Sequence, residues 1–84
     1  MTAPDWLVQR GNALKLGSDG KTWFVLCNQQ PNYSLAAVPV SGKFGCVIRQ
    51  TINGKRIECP GMYPTAEEAL RAGVDNLGEA LGWK

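Results

Sequence analysis

The residues of this chain that could carry out chemistry are its cysteines, its carboxylates and a group of basic residues near the middle. Cys27, Cys46 and Cys59 form no CxxC pair, and the sequence has no histidine. A nucleophilic cysteine or serine usually needs a nearby base, and zinc sites combine thiolates and imidazoles at short spacing. We therefore expect no zinc or other metal site and interpret the cysteines as reduced, mostly buried packing residues. The alternative is a reactive thiol or one disulfide.

The carboxylates have structural explanations. Glu67 and Glu68 fall in the first turn of a predicted helix, where acidic residues are favoured. Glu58 falls opposite Arg49 in a predicted hairpin. The ten glycines are scattered through turns and form no phosphate-binding motif. The sequence thus predicts a protein that is not an enzyme, with no cofactor and no identified small-molecule substrate.

The basic residues offer a surface for a partner. Residues 1–57 contain seven Lys or Arg and two Asp, whereas residues 58–84 contain two Lys or Arg and five Asp or Glu. The first part can therefore attract an anionic partner. The candidate partner-binding residues lie on or beside the outward face of the predicted hairpin, and they are Lys43, Arg49, Thr51, Lys55 and Arg56.

Length and composition place the chain in a broad class. Eighty-four residues form one domain, residues 1–84, with a thin core. No apolar run approaches the length of about 18 residues that a membrane span needs, so we expect no membrane partner. Because the N-terminal residues lack the basic and apolar blocks of a signal peptide, we expect a cytoplasmic protein.

The elements that must position the basic residues are strands. Runs with strand character, separated by turn residues, cover residues 12–16, 22–27, 33–40 and 44–52, with a fifth ending near residue 59. Asn53-Gly54 predicts a two-residue type I′ hairpin turn. This turn would place Arg49 opposite Glu58, Ile48 opposite Cys59, and the arginines on the face opposite the isoleucines.

A helix follows the hairpin. Thr65 predicts its N-cap, and Glu68 completes a capping box. Apolar residues then recur at helical spacing until Gly82, which is suited to end the helix. Residues 4–10 are compatible with a short helix but show no strong helical periodicity. We therefore predict an α+β fold, a single antiparallel sheet of four to five strands packed against one C-terminal helix.

The second half of the chain has a familiar outline. Its features are the basic strand Phe44-Gly45-Cys46-Val47-Ile48-Arg49, the segment Asn53-Gly54-Lys55-Arg56-Ile57, and the helix start Tyr63-Pro64-Thr65-Ala66-Glu67-Glu68-Ala69. Residues 44–81 resemble the sheet-plus-helix DNA-binding domains of the plant AP2 type and the arm-binding domains of phage integrases. The resemblance implies a sheet in the DNA major groove, with contacts from Arg49, Thr51 and Arg56. The whole chain also resembles the short proteins common in bacterial genomes, which implies no function.

Two functions are compatible with the predicted fold and its basic surface. One helix of about 16 residues spans only about 24 Å and cannot cover both faces of a five-stranded sheet. The uncovered face would invite association, so the first hypothesis is a small protein-interaction module that binds another protein or a second copy of itself. The alternative is nucleic-acid binding through the basic outer face of residues 44–59.

Overall fold

The computed structural model describes residues 1–84 and contains one antiparallel sheet with two helices. The sheet order follows the chain order, so each strand pairs with its sequence neighbour. This architecture confirms the predicted α+β class. No helix is both long enough and apolar enough to cross a membrane. The elements are α1 (Asp5–Val8), β1 (Ala13–Leu16), β2 (Trp23–Cys27), β3 (Gln30–Val40), β4 (Lys43–Gln50), β5 (Arg56–Ile57) and α2 (Ala66–Ala80).

Two tight turns connect the three central strands. Asn28 and Gln29 join β2 to β3, and Ser41 and Gly42 join β3 to β4, with positive φ at both residues of each pair. Two consecutive positive φ values are the requirement of a type I′ turn, whose twist matches that of the flanking strands. The Ser41-Gly42 turn therefore sets which side chains of β3 and β4 share a face. Between β2 and β3 the register also shifts by one residue at Val25 and Leu26, and this irregularity places Phe24 beside Ser34.

The predicted type I′ turn at Asn53-Gly54 is wrong. Only Gly54 has a positive φ, and the loop comprises the four residues 51–54, closed where the Gln50 N–H donates to the Lys55 carbonyl at 2.9 Å. The first loop residue, Thr51, is held by β3, because its N–H donates to the Asn32 carbonyl at 3.0 Å. Because Thr51 is bonded to β3, it does not pair with β5, and the loop between β4 and β5 is longer than predicted.

The longer loop moves the register of β4 and β5 by two residues. Ile48 lies opposite Ile57, and Arg49 lies opposite Arg56. The expected pairing of Arg49 with Glu58 is therefore wrong. Because side chains alternate along a strand, a shift of two residues keeps every side chain on its predicted face. The isoleucines face the helix and the arginines face away from it.

The core lies between the sheet and α2. Its members are fully or almost fully buried apolar side chains from β2, β3, β4 and both helices, namely Leu7, Val25, Leu35, Cys46, Ile48, Leu70, Val74 and Leu77. The Thr65 hydroxyl accepts the Glu68 N–H at 3.2 Å, which confirms the predicted N-cap. Gly82 follows the end of α2 with a φ of 71°.

Gly73 lets α2 approach the sheet closely. A Cβ at this position would collide with the Cys46 sulfur and lie 3.2 Å from the Cys46 Cβ and from Leu35 Cδ2. Gly78 likewise lets the N-terminal segment approach α2, since a Cβ there would collide with Cη2 of the Trp6 ring and lie 2.9 Å from Cζ2 and Cζ3. Both glycines, although unfavourable for an isolated helix, are required by the packing.

The N-terminal helix packs on the same side of the sheet as α2. Leu7 is fully buried in the shared core, and Trp6 rests against α2 at Gly78. At the other terminus, Trp83 contacts Tyr33 edge to face, with ring centroids 6.0 Å apart, while Arg10 lies 5.6 Å from the Trp83 ring. Neither helix therefore covers the opposite face of the sheet.

Candidate interaction surface

The sheet face opposite the helices carries a row of side chains that crosses all five strands. The strand registers place Lys15 beside Phe24, Phe24 beside Ser34, Ser34 beside Arg49, and Arg49 beside Arg56. Directly paired residues of antiparallel strands share a face, so these five side chains form one line. We call this line the central row and the face that bears it the outer face.

Apolar side chains flank the central row. Leu26, Ala36, Val38 and Val47 alternate with core-facing residues of their strands and are half-buried. Because neither helix packs on them, their partial burial comes from neighbours in the sheet and from adjoining turns. The outer face is thus an apolar surface with cations at both sides, and by strand alternation the exposed Glu58 falls on the same side as Arg56 at its edge.

A shallow depression opens at the β1–β2 side of this surface. The residues that line it include Phe24, Leu26, Lys15 and Pro31. The Phe24 ring lies against the chain at Gly17, where a Cβ would come within 2.8 Å of Phe24 Cε2. The aromatic ring therefore packs against the backbone at Gly17.

The two ends of the outer face differ. At one end, Tyr63 pairs with Phe44 beside β4, and the Met62 sulfur lies 3.5 Å from the position a Cβ would take on Gly45. At the other end, the loop between β4 and β5 projects Ile52, whose exposure is 91%. An almost fully exposed isoleucine at a hairpin tip adds a protruding apolar group to the surface.

The guanidinium groups of the central row have no acidic partner. The three ion pairs of the structure join Arg71 to Glu67 and Lys84 to Asp75 and Glu79, all in or after α2. Arg49 donates only a long hydrogen bond of 3.4 Å to the Gly54 carbonyl. The positive charge of the outer face is therefore available to an external anion.

The structure separates the predicted partner-binding residues. Arg49 and Arg56 lie together on the outer face, and Lys43 is exposed at the start of β4. The Thr51 hydroxyl donates to the Pro31 carbonyl, so it holds the loop against β3. Lys55 directly precedes Arg56, so by strand alternation it falls on the other side of the ribbon.

The predicted partner-binding residues did not include Lys15, Phe24, Leu26 or Ile52. The signal for the two β2 residues was present, because the segment Thr22–Cys27 is apolar at both alternating positions. One set of its side chains had to lie away from the core. Lys15 and Ile52 carried no such signal, since their places depend on the pairing of β1 and on the length of the hairpin loop.

The titratable groups with shifted pKa values lie away from the central row. The N–H groups of Thr22 and Lys21, together with the Thr22 hydroxyl, lower the pKa of Asp19 to about 2 in the turn between β1 and β2. Burial raises the pKa of Cys46 to about 12. No group of three or more Cys, Asp or Glu side chains is arranged to hold a metal ion.

Comparison of the chain with family models, with curated proteins and with solved structures finds no match. We therefore base the functional proposal on the geometry and charge of the outer face.

Proposed function

We propose that this protein is a small non-catalytic module that binds another protein through the outer face of its sheet. The observation that carries the proposal is the arrangement of this face, where half-buried apolar side chains lie uncovered between Lys15 on one side and Arg49 and Arg56 on the other. An apolar centre within a polar rim is typical of protein-binding surfaces, and arginine is enriched in them.

The partner surface that fits is apolar at its centre and acidic at its margins. Carboxylates opposite Arg49 and Arg56 could form charge-assisted hydrogen bonds that these guanidiniums lack within the chain. Apolar groups opposite Leu26 and Val47 would remove the remaining exposed apolar area from water. Complementary charge would also speed association and fix the orientation of the complex.

A second copy of the chain fits this face less well than an acidic partner. Two outer faces brought together would each present Lys15, Arg49 and Arg56, and like charges across an interface oppose association. We therefore propose a different protein as the partner and expect sedimentation to show a monomer at millimolar concentration and moderate ionic strength. A dimer that Arg49→Glu dissociates would contradict this choice of partner.

The test is selection of short peptides from a random displayed library, followed by calorimetry with the purified chain. We expect the selected peptides to combine Asp or Glu with aliphatic or aromatic residues. The double variant Arg49→Glu/Arg56→Glu should bind them at least about tenfold more weakly. Lys21→Glu is the matched control, because it reverses an exposed lysine outside the central row. Equal binding by the double variant would refute the proposal.

A second candidate function is nucleic-acid binding by the same face, favoured by one specific observation. The central row places Phe24 and Ser34 between cations and contains no carboxylate. Cationic grooves with aromatic side chains are the usual means of binding single strands. The resemblance of residues 44–81 to AP2-type and integrase arm-binding domains implies duplex DNA instead.

Fluorescence anisotropy with labelled single-stranded and duplex DNA and RNA separates this candidate from the first. If nucleic acid is the partner, affinity falls steeply as salt rises, because bound counterions are released. Arg49→Ala and Arg56→Ala should each lower the slope of log K against log salt by about 1, and Lys21→Ala should leave it unchanged. Absence of binding at low salt would eliminate nucleic acid and leave the protein-binding proposal intact.

A further inference from the structure

Cys46 and Cys59 are neighbours on the helix side of the sheet. Ile48 of β4 lies opposite Ile57 of β5, and each cysteine stands two residues farther from the hairpin loop than its isoleucine. A step of two residues along a strand returns to the same face, so both sulfurs point toward the core. Cys46 belongs to the buried core cluster, and Cys59 packs against that cluster.

The two cysteines differ in exposure. Cys46 is buried, with its sulfur against α2 at Gly73. Cys59 packs at the margin of the core and is only half-buried, so this residue keeps contact with solvent. An accessible thiol with a buried thiol beside it is the arrangement in which one cysteine reacts first and the second resolves the product.

Cys27 stands apart from this pair. It lies at the end of β2 opposite Gln30, whereas Cys46 lies opposite Ala37 on the same strand, β3. Seven residues of extended chain separate these two positions by about 23 Å. Cys27 is therefore an internal control for any thiol chemistry of the pair.

We propose that Cys46 and Cys59 form an oxidisable dithiol site that low-molecular-weight disulfides, such as oxidised glutathione, convert to an intrachain disulfide. The Cys59 thiolate attacks the small disulfide, forms a mixed disulfide and releases one small thiolate, which takes up a proton. The Cys46 sulfur then loses its proton, attacks the Cys59 sulfur and displaces the second small thiol. Two protein thiols are oxidised, and one small disulfide is reduced to two small thiols.

The environment sets the order of these steps and their dependence on pH. Burial raises the pKa of both thiols, and that of Cys46 reaches about 12. The neighbouring Cys46 thiol partly offsets this rise in the pKa of Cys59. Cys59 is therefore the first thiolate to form. Because its pKa is raised from 9.0, the oxidation rate should increase with pH from pH 7 and still be increasing at pH 9.

The experiment is incubation of the reduced chain with oxidised glutathione, followed by alkylation of free thiols and trypsin digestion without reduction. Trypsin places the three cysteines in separate peptides, residues 22–43, 44–49 and 57–71. We expect peptide 44–49 linked to peptide 57–71 and a free thiol in peptide 22–43, so that the thiol count of the native chain falls from three to one. A link through Cys27, covalent dimers, or glutathione adducts that never resolve would each overturn the proposal.

Two variants distinguish the reaction of the Cys46–Cys59 pair from that of Cys27. Cys27→Ser should oxidise at the wild-type rate and reach a count of no free thiols. Cys59→Ser, chosen because Cys59 is only half-buried, should form no intrachain link and should leave Cys46 unmodified. A fast reaction of Cys46 in Cys59→Ser would contradict the proposed order of attack. The tryptic peptide map of the oxidised wild-type chain tests the proposal even if a variant does not fold.

Discussion

Arg49 and Arg56 lie directly opposite each other on β4 and β5, and neither guanidinium group is paired with a carboxylate. Like charges in a directly opposed cross-strand pair destabilise a sheet. The same residues are the cations at the open, apolar face. An arrangement that costs stability within the chain and presents charge to solvent is typical of a binding surface.

Arg56→Glu should therefore stabilise the isolated chain and impair binding. A glutamate opposite Arg49 replaces a repulsive pair by an attractive one, and we expect a gain of about 0.2–1 kcal/mol in the free energy of unfolding. Urea denaturation at low and high salt measures this gain, which should shrink as salt screens exposed charges. A loss of stability at low salt would contradict the described register.

Gly73→Ala should destabilise the fold, although alanine is the better helix former by about 1 kcal/mol. The added Cβ collides with the Cys46 sulfur, and overpacking of this kind costs roughly 1–3 kcal/mol. The matched experiment repeats Gly73→Ala in a Cys46→Ala background, where the colliding atom is absent. There the substitution should be neutral or stabilising in thermal or urea denaturation. An equal cost in both backgrounds would refute the contact.

Asp19→Asn should lower stability at pH 6 and have little effect at pH 2. Hydrogen bonds to its carboxylate lower the pKa of Asp19 from 3.8 to about 2 in the folded chain. The stabilisation is complete above pH 4 and is lost as the pH falls through about 2. Urea denaturation at several pH values should show the two proteins converging across that interval. A constant difference would contradict the role of the charged form.

Thr51→Val should loosen the β4–β5 loop without removing any charge. The variant loses the hydroxyl bond to the Pro31 carbonyl and keeps the backbone bond to the Asn32 carbonyl. We expect a loss of about 0.5–1.5 kcal/mol in unfolding free energy. Thr51→Ser, which retains the hydroxyl, is the control. If serine and valine destabilise equally, the hydroxyl bond is not what holds the loop.

The fold was predictable because its local signals agree with one another. Alternation in residues 44–59 assigned Ile48 and Arg49 to opposite faces, and the cap at Thr65 located the start of α2. The register of the last hairpin was not predictable, because it depends on bonds from Thr51 to β3, a strand distant in sequence. The type I′ turn at Asn28-Gln29 lacks the glycine that usually marks such turns.

The candidate site was predictable in part. The sequence indicated Arg49 and Arg56 and an uncovered sheet face, because one helix is too short to cover two faces. Lys15 and Phe24 join that surface only through the pairing of β1 with β2 and of β2 with β3. The adjacency of Cys46 and Cys59 likewise depends on the shifted register, since the predicted one placed Cys59 opposite Ile48.

The most direct test of the central claim is a nuclear magnetic resonance titration of the ¹⁵N-labelled chain with a selected acidic, apolar peptide. If the outer face is the docking surface, the backbone amides of Phe24, Ser34, Val47 and Arg49 shift with added peptide, and those of α2 stay in place. Shifts confined to α2 and the N-terminal segment would show that binding occurs on the other side of the sheet and would contradict the account.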